Sequence, residues 1–573
     1  MHVEEEESVF PETRPLIYHA RSLSNRPWEQ RYTPFESVGQ LLQVQTQAHP
    51  TACYLTFYDE SGPVVSYTYA EFLQRASQVA SLLQSLGVTE GHRVATLMAN
   101  DPRTVFIYFG AWLLGATVVP LNIGSEDQQL GYILSNAKVR VVFAFDDQLS
   151  RAQQLWSSNA VSHSLIATGS SNGRNGVPYF EQLLDNYTAP PSLPSLCPDT
   201  EALIVYTSGT TGPPKGVILD HANLLADACS IAEWNRFDPD DRAINVLPIH
   251  HVNGTVVTLL TPLYSGGSVV LNRRFYAQSF WKTIETERCT WSSVVPTVLA
   301  FLCERNDDIT QYDLSRFRHI LCGAGPLTTE LARRFETQFR IPLIHGYGLS
   351  ETTCYSCFLP ISLDEPTRRY WLTECGFPSI GCPLPVNEMA IHDANGNPLP
   401  PGERGEIVIR GHNVMRCYYA RPEANRDTFA HGWFRSGDEG FYLVGQDGNP
   451  YFFITGRIKE LIIRGGVNYS PFDIDEVLNA IPGVRAAMAV GFENDYYGEE
   501  IGAYVQREEG SDLTEEAIIA ACRKRLPFEK CPKVVVFGET FPVTSTGKYQ
   551  RNKLKPLFSA WKSVQFREEK PTN

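Results

Sequence analysis

The sequence predicts an α/β protein with a large N-terminal domain of stacked, mostly parallel sheets with helices plus a β-subdomain, and a small, mobile α+β C-terminal domain. Three observations predict it. Short β-rich runs alternate with helix-like segments from residue 68 to residue 322, and from about residue 387 the pattern changes to hairpins. A further unit with its own helices and strands begins after Gly456-Arg457. At 573 residues the chain is also past the size at which a single hydrophobic core stops growing.

Residues 1–34 show no period and are expected to form an irregular tail ahead of the large domain, 35–458. Thr68-Tyr69-Ala70-Glu71 is a capping box, and Phe72, Ala76, Val79, Leu83 and Leu86 then recur at helical spacing until Gly87 stops the helix. A strand is expected at 93–98. The uncharged stretch 104–125 is broken by Gly110, Gly115, Pro120 and Asn122, so it reads as a buried helix and a buried strand at 117–121 rather than a membrane span. Runs at 139–144, 203–206, 269–272 and 319–322 continue the alternation.

Asn395-Gly396 and Asp447-Gly448 each sit between alternating apolar runs, the signature of tight hairpins, and place the β-subdomain at about 387–458. The small lid domain, 459–573, should hold a helix capped by Ser470-Pro471, strands at 486–490 and 501–505, a helix from 514 to about 525, and a strand at 533–537.

A formal net charge of -15 argues against a nucleic-acid surface, which needs a basic face. Thirteen scattered cysteines, in a chain this long, point to reduced thiols in the cytoplasm. The acidic run Glu4 to Glu7 does not read as a secretion signal.

Directly after the apolar strand at 202–205 comes Tyr206-Thr207-Ser208-Gly209-Thr210-Thr211-Gly212-Pro213-Pro214-Lys215-Gly216. Its hydroxyls and glycines make an anion cradle to which Lys215 adds a point charge. Gly216 follows the lysine where a P-loop NTPase has Ser or Thr, so this is a different phosphate loop. Cys354-x-x-Cys357, with Cys375 and Cys382, forms a competing zinc pattern, though the second pair is too widely spaced for a usual site.

The loop 206–216 resembles the signature of the adenylate-forming superfamily, in its acyl-CoA synthetase branch, and further segments match in order from about residue 40 to 555. His250-His251-Val252-Asn253-Gly254 is similar to the segment lining the acyl pocket, with His251 beside the substrate carboxylate. Gly323-Ala324-Gly325 resembles the turn that packs on adenine. Gly346-Tyr347-Gly348-Leu349-Ser350-Glu351 resembles the loop with an adenine-stacking tyrosine and a magnesium-binding glutamate, Ser350 standing where the family usually has Thr. The resemblance further implies Thr211 beside the metal, Asp438 and Arg457 as ribose or phosphate contacts, Lys459 as the hinge, Gly465-Gly466 as the pantetheine loop, and Lys548 as the catalytic lysine. Cys417, Glu439 and Val386 depart from the family pattern without removing a group that the chemistry requires.

What the resemblance implies is activation of a small carboxylic acid by ATP and Mg2+ to an acyl-adenylate, with Lys548, Lys215, Glu351 and His251 at the reacting groups. Acyl transfer to coenzyme A would follow a rotation about Lys459. A carrier-protein pantetheine is the alternative acceptor. Residues 249–253 hold no Asp to pair an α-ammonium group, so amino-acid substrates are not expected, and the apolar pocket segments with polar punctuation fit an acyl or aryl acid of moderate size.

Overall fold

Parallel strands need helical crossovers, and helices that cover a sheet lose their polar face, so the most apolar helices should lie deepest. In the computed structural model, which describes residues 8–157, 164–169, 177–187, 193–207, 213–543 and 549–567, they do. In the helix Pro102–Leu113 every residue but Arg103 is buried, and His221–Asn235 is buried on nearly all sides. Among the described residues no helix is long and apolar enough to cross a membrane. The helix Tyr69–Ser85 starts with the expected capping box, Thr68 and Glu71 satisfying each other's backbone N–H.

Two large sheets carry the first domain. One has seven strands, in which Arg93–Leu97, Thr117–Pro120, Val141–Phe145, Ser164–Thr168 and Glu201–Thr207 run parallel. The strand Lys215–Asp220 returns antiparallel to Glu201–Thr207, and the short strand Cys417–Tyr418 is added at its edge. The other has nine strands with a parallel centre that includes Arg242–Asn245, Trp291–Val294, His319–Cys322 and Leu343–Tyr347.

The hairpins form an antiparallel sheet of four strands, Asn387–His392, Gly405–Gly411, Phe434–Val444 and Pro450–Arg457. One continuous apolar core extends from Val9 to Phe453. From Ile462 onward the apolar residues form two clusters of their own around the strands Val484–Asn494 and Gly498–Arg507.

These separate cores meet the rest of the chain through polar side chains. The Glu476 carboxylate accepts from Thr329 N, at 3.2 Å, and from Thr329 Oγ1, at 2.7 Å, at the start of the helix Thr329–Phe339. Arg485 clasps Glu304 through two hydrogen bonds of 2.8 and 2.6 Å, and Arg404 donates to Asp473 at 3.0 Å.

The N-terminal residues depart from expectation. Residues 1–7 lie outside the described residues, but Pro11–Thr13 form a 3-10 turn and Arg14–Arg21 a helix, where an irregular tail was expected. Eight residues are too few to display a period, and tertiary contacts fix this arm instead. Arg21 ion-pairs with the fully buried Asp220 and lies 3.6 Å from the ring centre of Trp28, whose indole N–H donates to Asp199 at 2.9 Å. Asp220 also caps the helix His221–Asn235.

Removing one partner of such a pair strands a charge in low dielectric. Arg21→Met should therefore lower the unfolding free energy by about 3 kcal/mol, with most of the loss recovered when Asp220→Asn is added. Urea unfolding of the single and double variants checks this, and equal destabilisation by both would remove the ion pair as the anchor of the arm.

Candidate functional site

The phosphate loop leaves the sheet at Thr207 and returns at Lys215, and these two residues face each other in the antiparallel register. The loop therefore closes a hairpin rather than opening a helix. Ser208, Gly209, Thr210, Thr211 and Gly212 lie outside the described residues. Lys215 sits with its ammonium 4.6 Å from the centre of the Tyr418 ring. Partial burial lowers its pKa, the Glu351 carboxylate works against that shift, and Lys459 reinforces it. Lys459, the expected hinge, is thus close enough to be felt by Lys215.

Three of the expected nucleotide contacts converge. Asp438 and Arg457 are register partners on adjacent strands and form an ion pair of 3.2 Å. The Tyr347 hydroxyl donates to the other carboxylate oxygen of Asp438 at 2.6 Å, and burial beside that anion raises the Tyr347 pKa strongly. Tyr347 ends the strand Leu343–Tyr347, so its ring is held from the backbone side and from its tip.

Glu351 lies in the 3-10 turn Ser350–Thr352 that follows. Its carboxylate accepts from the Tyr418 hydroxyl at 2.7 Å, and its carbonyl accepts from Met415 N at 2.7 Å. The turn can fold this tightly because of Gly348, where a Cβ would overlap the Cys354 carbonyl.

Gly323, Ala324 and Gly325 follow the strand His319–Cys322, with Ala324 in the left-handed region at φ 64°. A Cβ on Gly323 would come within 2.6 Å of the Tyr355 hydroxyl and 2.7 Å of the Gly346 carbonyl, so that glycine is required by the protein's own packing. Tyr355 belongs to a polar set at this end of the site. Its hydroxyl accepts from Asn253 Nδ2 at 3.3 Å, and Asn253 Oδ1 accepts from Ser293 at 2.9 Å. Asn253 opens an eight-residue π-helix, Asn253–Leu260. The neighbouring His250 and His251 rings lie 4.3 Å apart, and burial pushes the His250 pKa down to about 4, leaving that imidazole neutral.

Two expected site residues, Gly465 and Gly466, are not gathered here, and a third, Lys548, lies outside the described residues. Gly465 and Gly466 form the exposed tip of the hairpin between Ile462–Arg464 and Val467–Tyr469, and a Cβ on either would meet nothing within 4 Å. The flanks of Lys548 are pinned by the Val543–Tyr549 bridge and by Arg551, which ion-pairs with Asp475 at 2.6 Å.

Sequence reasoning missed the strap 412–419. Asn413 donates to Asp227 at 2.9 Å, to the Tyr355 carbonyl at 2.9 Å and to Asn387 at 3.1 Å, while burial pushes the Asp227 pKa up to about 8. Only the tyrosine pair Tyr418-Tyr419 could have signalled the strap, through the departure at Cys417 beside it. The competing zinc pattern is not assembled: Cys357 and Cys382 lie in packed neighbouring strands, and no three metal-capable side chains cluster among the described residues.

Comparison with known proteins agrees with this geometry. The family model of the AMP-binding enzyme matches residues 42–419, and that of the AMP-binding enzyme C-terminal domain matches 473–548. A sulfoacetate–CoA ligase of Cupriavidus necator is 35% identical over 521 residues, covering 91% of this chain and 97% of the relative. An oxalate–CoA ligase of Arabidopsis thaliana is 32% identical over 84% of this chain and 91% of its own. The crystal structure of ATP-bound MatB from Rhodopseudomonas palustris superposes with a TM-score of 0.80 at 26% identity, covering 91% of this chain and 99% of that one. With both family models matched in order along a chain whose Tyr347, Asp438, Arg457, Glu351 and Lys215 meet at one place, the protein belongs to the AMP-binding enzyme family, as an AMP-forming acid–CoA ligase.

Proposed function

We propose that the residues around Asp438, Glu351 and Lys215 bind ATP with its cation, and that the acid they activate is short and polar. The reaction of this acid–CoA ligase has two halves: the carboxylate attacks the α-phosphorus of ATP and expels pyrophosphate, and the coenzyme A thiol then displaces AMP from the acyl carbon.

The observation that carries the nucleotide reading is the Tyr347–Asp438–Arg457 triad. An ionised Asp is acceptor-only and suits a ribose diol, the ring of Tyr347 is held for stacking on adenine beside Gly323, Ala324, Gly325, Gly346 and Gly348, and Arg457 faces the phosphates. Lys215 and the loop Thr207 to Gly212 take the triphosphate. Among the described residues the Glu351 carboxylate has one hydrogen-bond donor and no ion pair, which fits a hard cation shared with phosphate oxygens and the Thr211 hydroxyl. Magnesium bound there would neutralise charge on the phosphates as pyrophosphate leaves. Lys548 would act at the α-phosphate, and His251 beside the substrate carboxylate.

The polar set Asn253, Ser293 and Tyr355 supports a short acid. It fills the space beneath Gly323 with groups that already satisfy one another, an end wall poorly suited to an alkyl chain. The sulfoacetate and oxalate ligases among the relatives share this preference for small polar acids by name. None of the thirteen cysteines is in a disulfide, which supports a reducing cytoplasmic compartment.

Pyrophosphate exchange across acetate, oxalate, malonate, sulfoacetate, a hydroxycinnamate and palmitate tests the reading, with the small polar acids expected to lead. Strongest exchange with palmitate would overturn it. Lys548→Ala should abolish exchange yet leave thioester formation from supplied acyl-adenylate within about threefold, a loss confined to one half-reaction.

Rotation about Lys459 has to break the Thr329–Glu476 contact, and this carries a pH dependence. Burial raises the Glu476 pKa from 4.5 to about 7 against the Thr329 hydrogen bonds that lower it. Docking therefore takes up a proton between those two values. The docked arrangement is favoured at acid pH and loses that preference as pH rises through about 7. An interdomain fluorescence-transfer pair should report opening between pH 5.5 and 8.5, and Glu476→Gln, neutral at every pH, should flatten the curve. An unchanged curve in the variant would exclude Glu476 as the latch.

A further inference from the structure

We propose that Tyr418 is a positioning residue that spaces Lys215 from Glu351, aiming the glutamate at the cation while keeping the lysine free for phosphate. The proposal rests on the reading of Glu351 as the metal-binding carboxylate.

Lys215 and Glu351 carry opposite charges, and the Glu351 carboxylate is close enough to oppose the burial shift of Lys215, yet neither is in an ion pair among the described residues. What lies between them is the ring of Tyr418. Its hydroxyl donates to Glu351 Oε1 at 2.7 Å while its face receives the Lys215 ammonium at 4.6 Å. A neutral phenol thus offers a donor to the anion and a π-face to the cation. It satisfies both without letting them neutralise each other, which an ion pair would do at the expense of phosphate and metal.

The ring is unusually well fixed for this task. Tyr418 pairs with Val217 in the sheet, one residue beyond Gly216, and Tyr419 N donates to the Gly216 carbonyl at 2.8 Å, so its backbone is fastened to the strand that carries Lys215. The Asn425 side chain holds the same residue from both sides, accepting from Tyr418 N at 2.7 Å and donating to its carbonyl at 2.8 Å. Three residues upstream, Met415 N grips the Glu351 carbonyl. The strap 415–419 therefore sets the distance between phosphate strand and metal turn, with Tyr418 as its gauge.

Calorimetric titration with ATP, once with Mg2+ and once with EDTA, tests this on the full chain. Tyr418→Phe keeps the ring over Lys215 but removes the hydroxyl. It should weaken ATP binding in Mg2+ by about tenfold, the loss of a hydrogen bond to a charged group, and change binding in EDTA by less than about twofold. Tyr418→Leu removes the spacer, lets Lys215 pair with Glu351, and should weaken binding under both conditions. A purely structural tyrosine would move both conditions alike in the Phe variant, and that result overturns the proposal. Glu351→Gln separates the two layers of argument. If it loses the Mg2+-dependent gain while Tyr418→Phe retains it, the proposal fails and the metal reading stands; if Glu351→Gln retains the gain, the metal reading fails and the proposal falls with it.

Discussion

The buried amide of Asn413 is the tie on which the active region depends. It sits in the strap between the β-subdomain and the strand Lys215–Asp220, and its hydrogen bonds reach the helix His221–Asn235 through Asp227, the segment after the turn Ser350–Thr352 through the Tyr355 carbonyl, and the β-subdomain through Asn387. Thr353 adds a bond to the Asn413 carbonyl, and Asn223 holds the His412 and Val414 carbonyls on either side. All of these groups are buried, where an unmet donor or acceptor is expensive and a satisfied network resists displacement. The three elements therefore hold one relative position, and Glu351, Tyr418 and Lys215 inherit it.

A second constraint follows from how the cores are divided. Residues before about 454 share one apolar core, whereas those after 461 build their own. The contacts across the boundary described above, Glu476 on Thr329, Arg485 on Glu304 and Arg404 on Asp473, are hydrogen bonds and ion pairs whose groups water can satisfy equally well once they separate. An interface of this chemistry releases without exposing a large apolar face, which is what alternation between two half-reactions asks of it. The hairpin tip at Gly465 and Gly466 lies beyond that boundary in sequence and is exposed, with nothing within 4 Å of either Cβ position.

The pocket shows the same economy of means. Gly323 makes room for Tyr355 and Gly348 for the Cys354 carbonyl. By letting Tyr355 come close, Gly323 brings the tyrosine hydroxyl into one polar set with Asn253 and Ser293.

Local order was legible in the sequence because it is written in neighbours. The capping box at Thr68, the Asn-Gly and Asp-Gly hairpins and the buried helix before Gly115 all depend on residues a few positions apart. The arm at 14–21, the strap at 412–419 and the Glu476 contact were not, because each depends on a partner far along the chain: Arg21 on Asp220, Tyr418 on Glu351, Glu476 on Thr329. The sequence by itself determined the α/β class and the family, since motif spacing carries that resemblance. Only the tertiary structure decided how Tyr347, Asp438, Arg457, Glu351 and Lys215 are spaced and what packs behind Gly323, since the energies of buried hydrogen bonds depend on which distant residues are brought into contact.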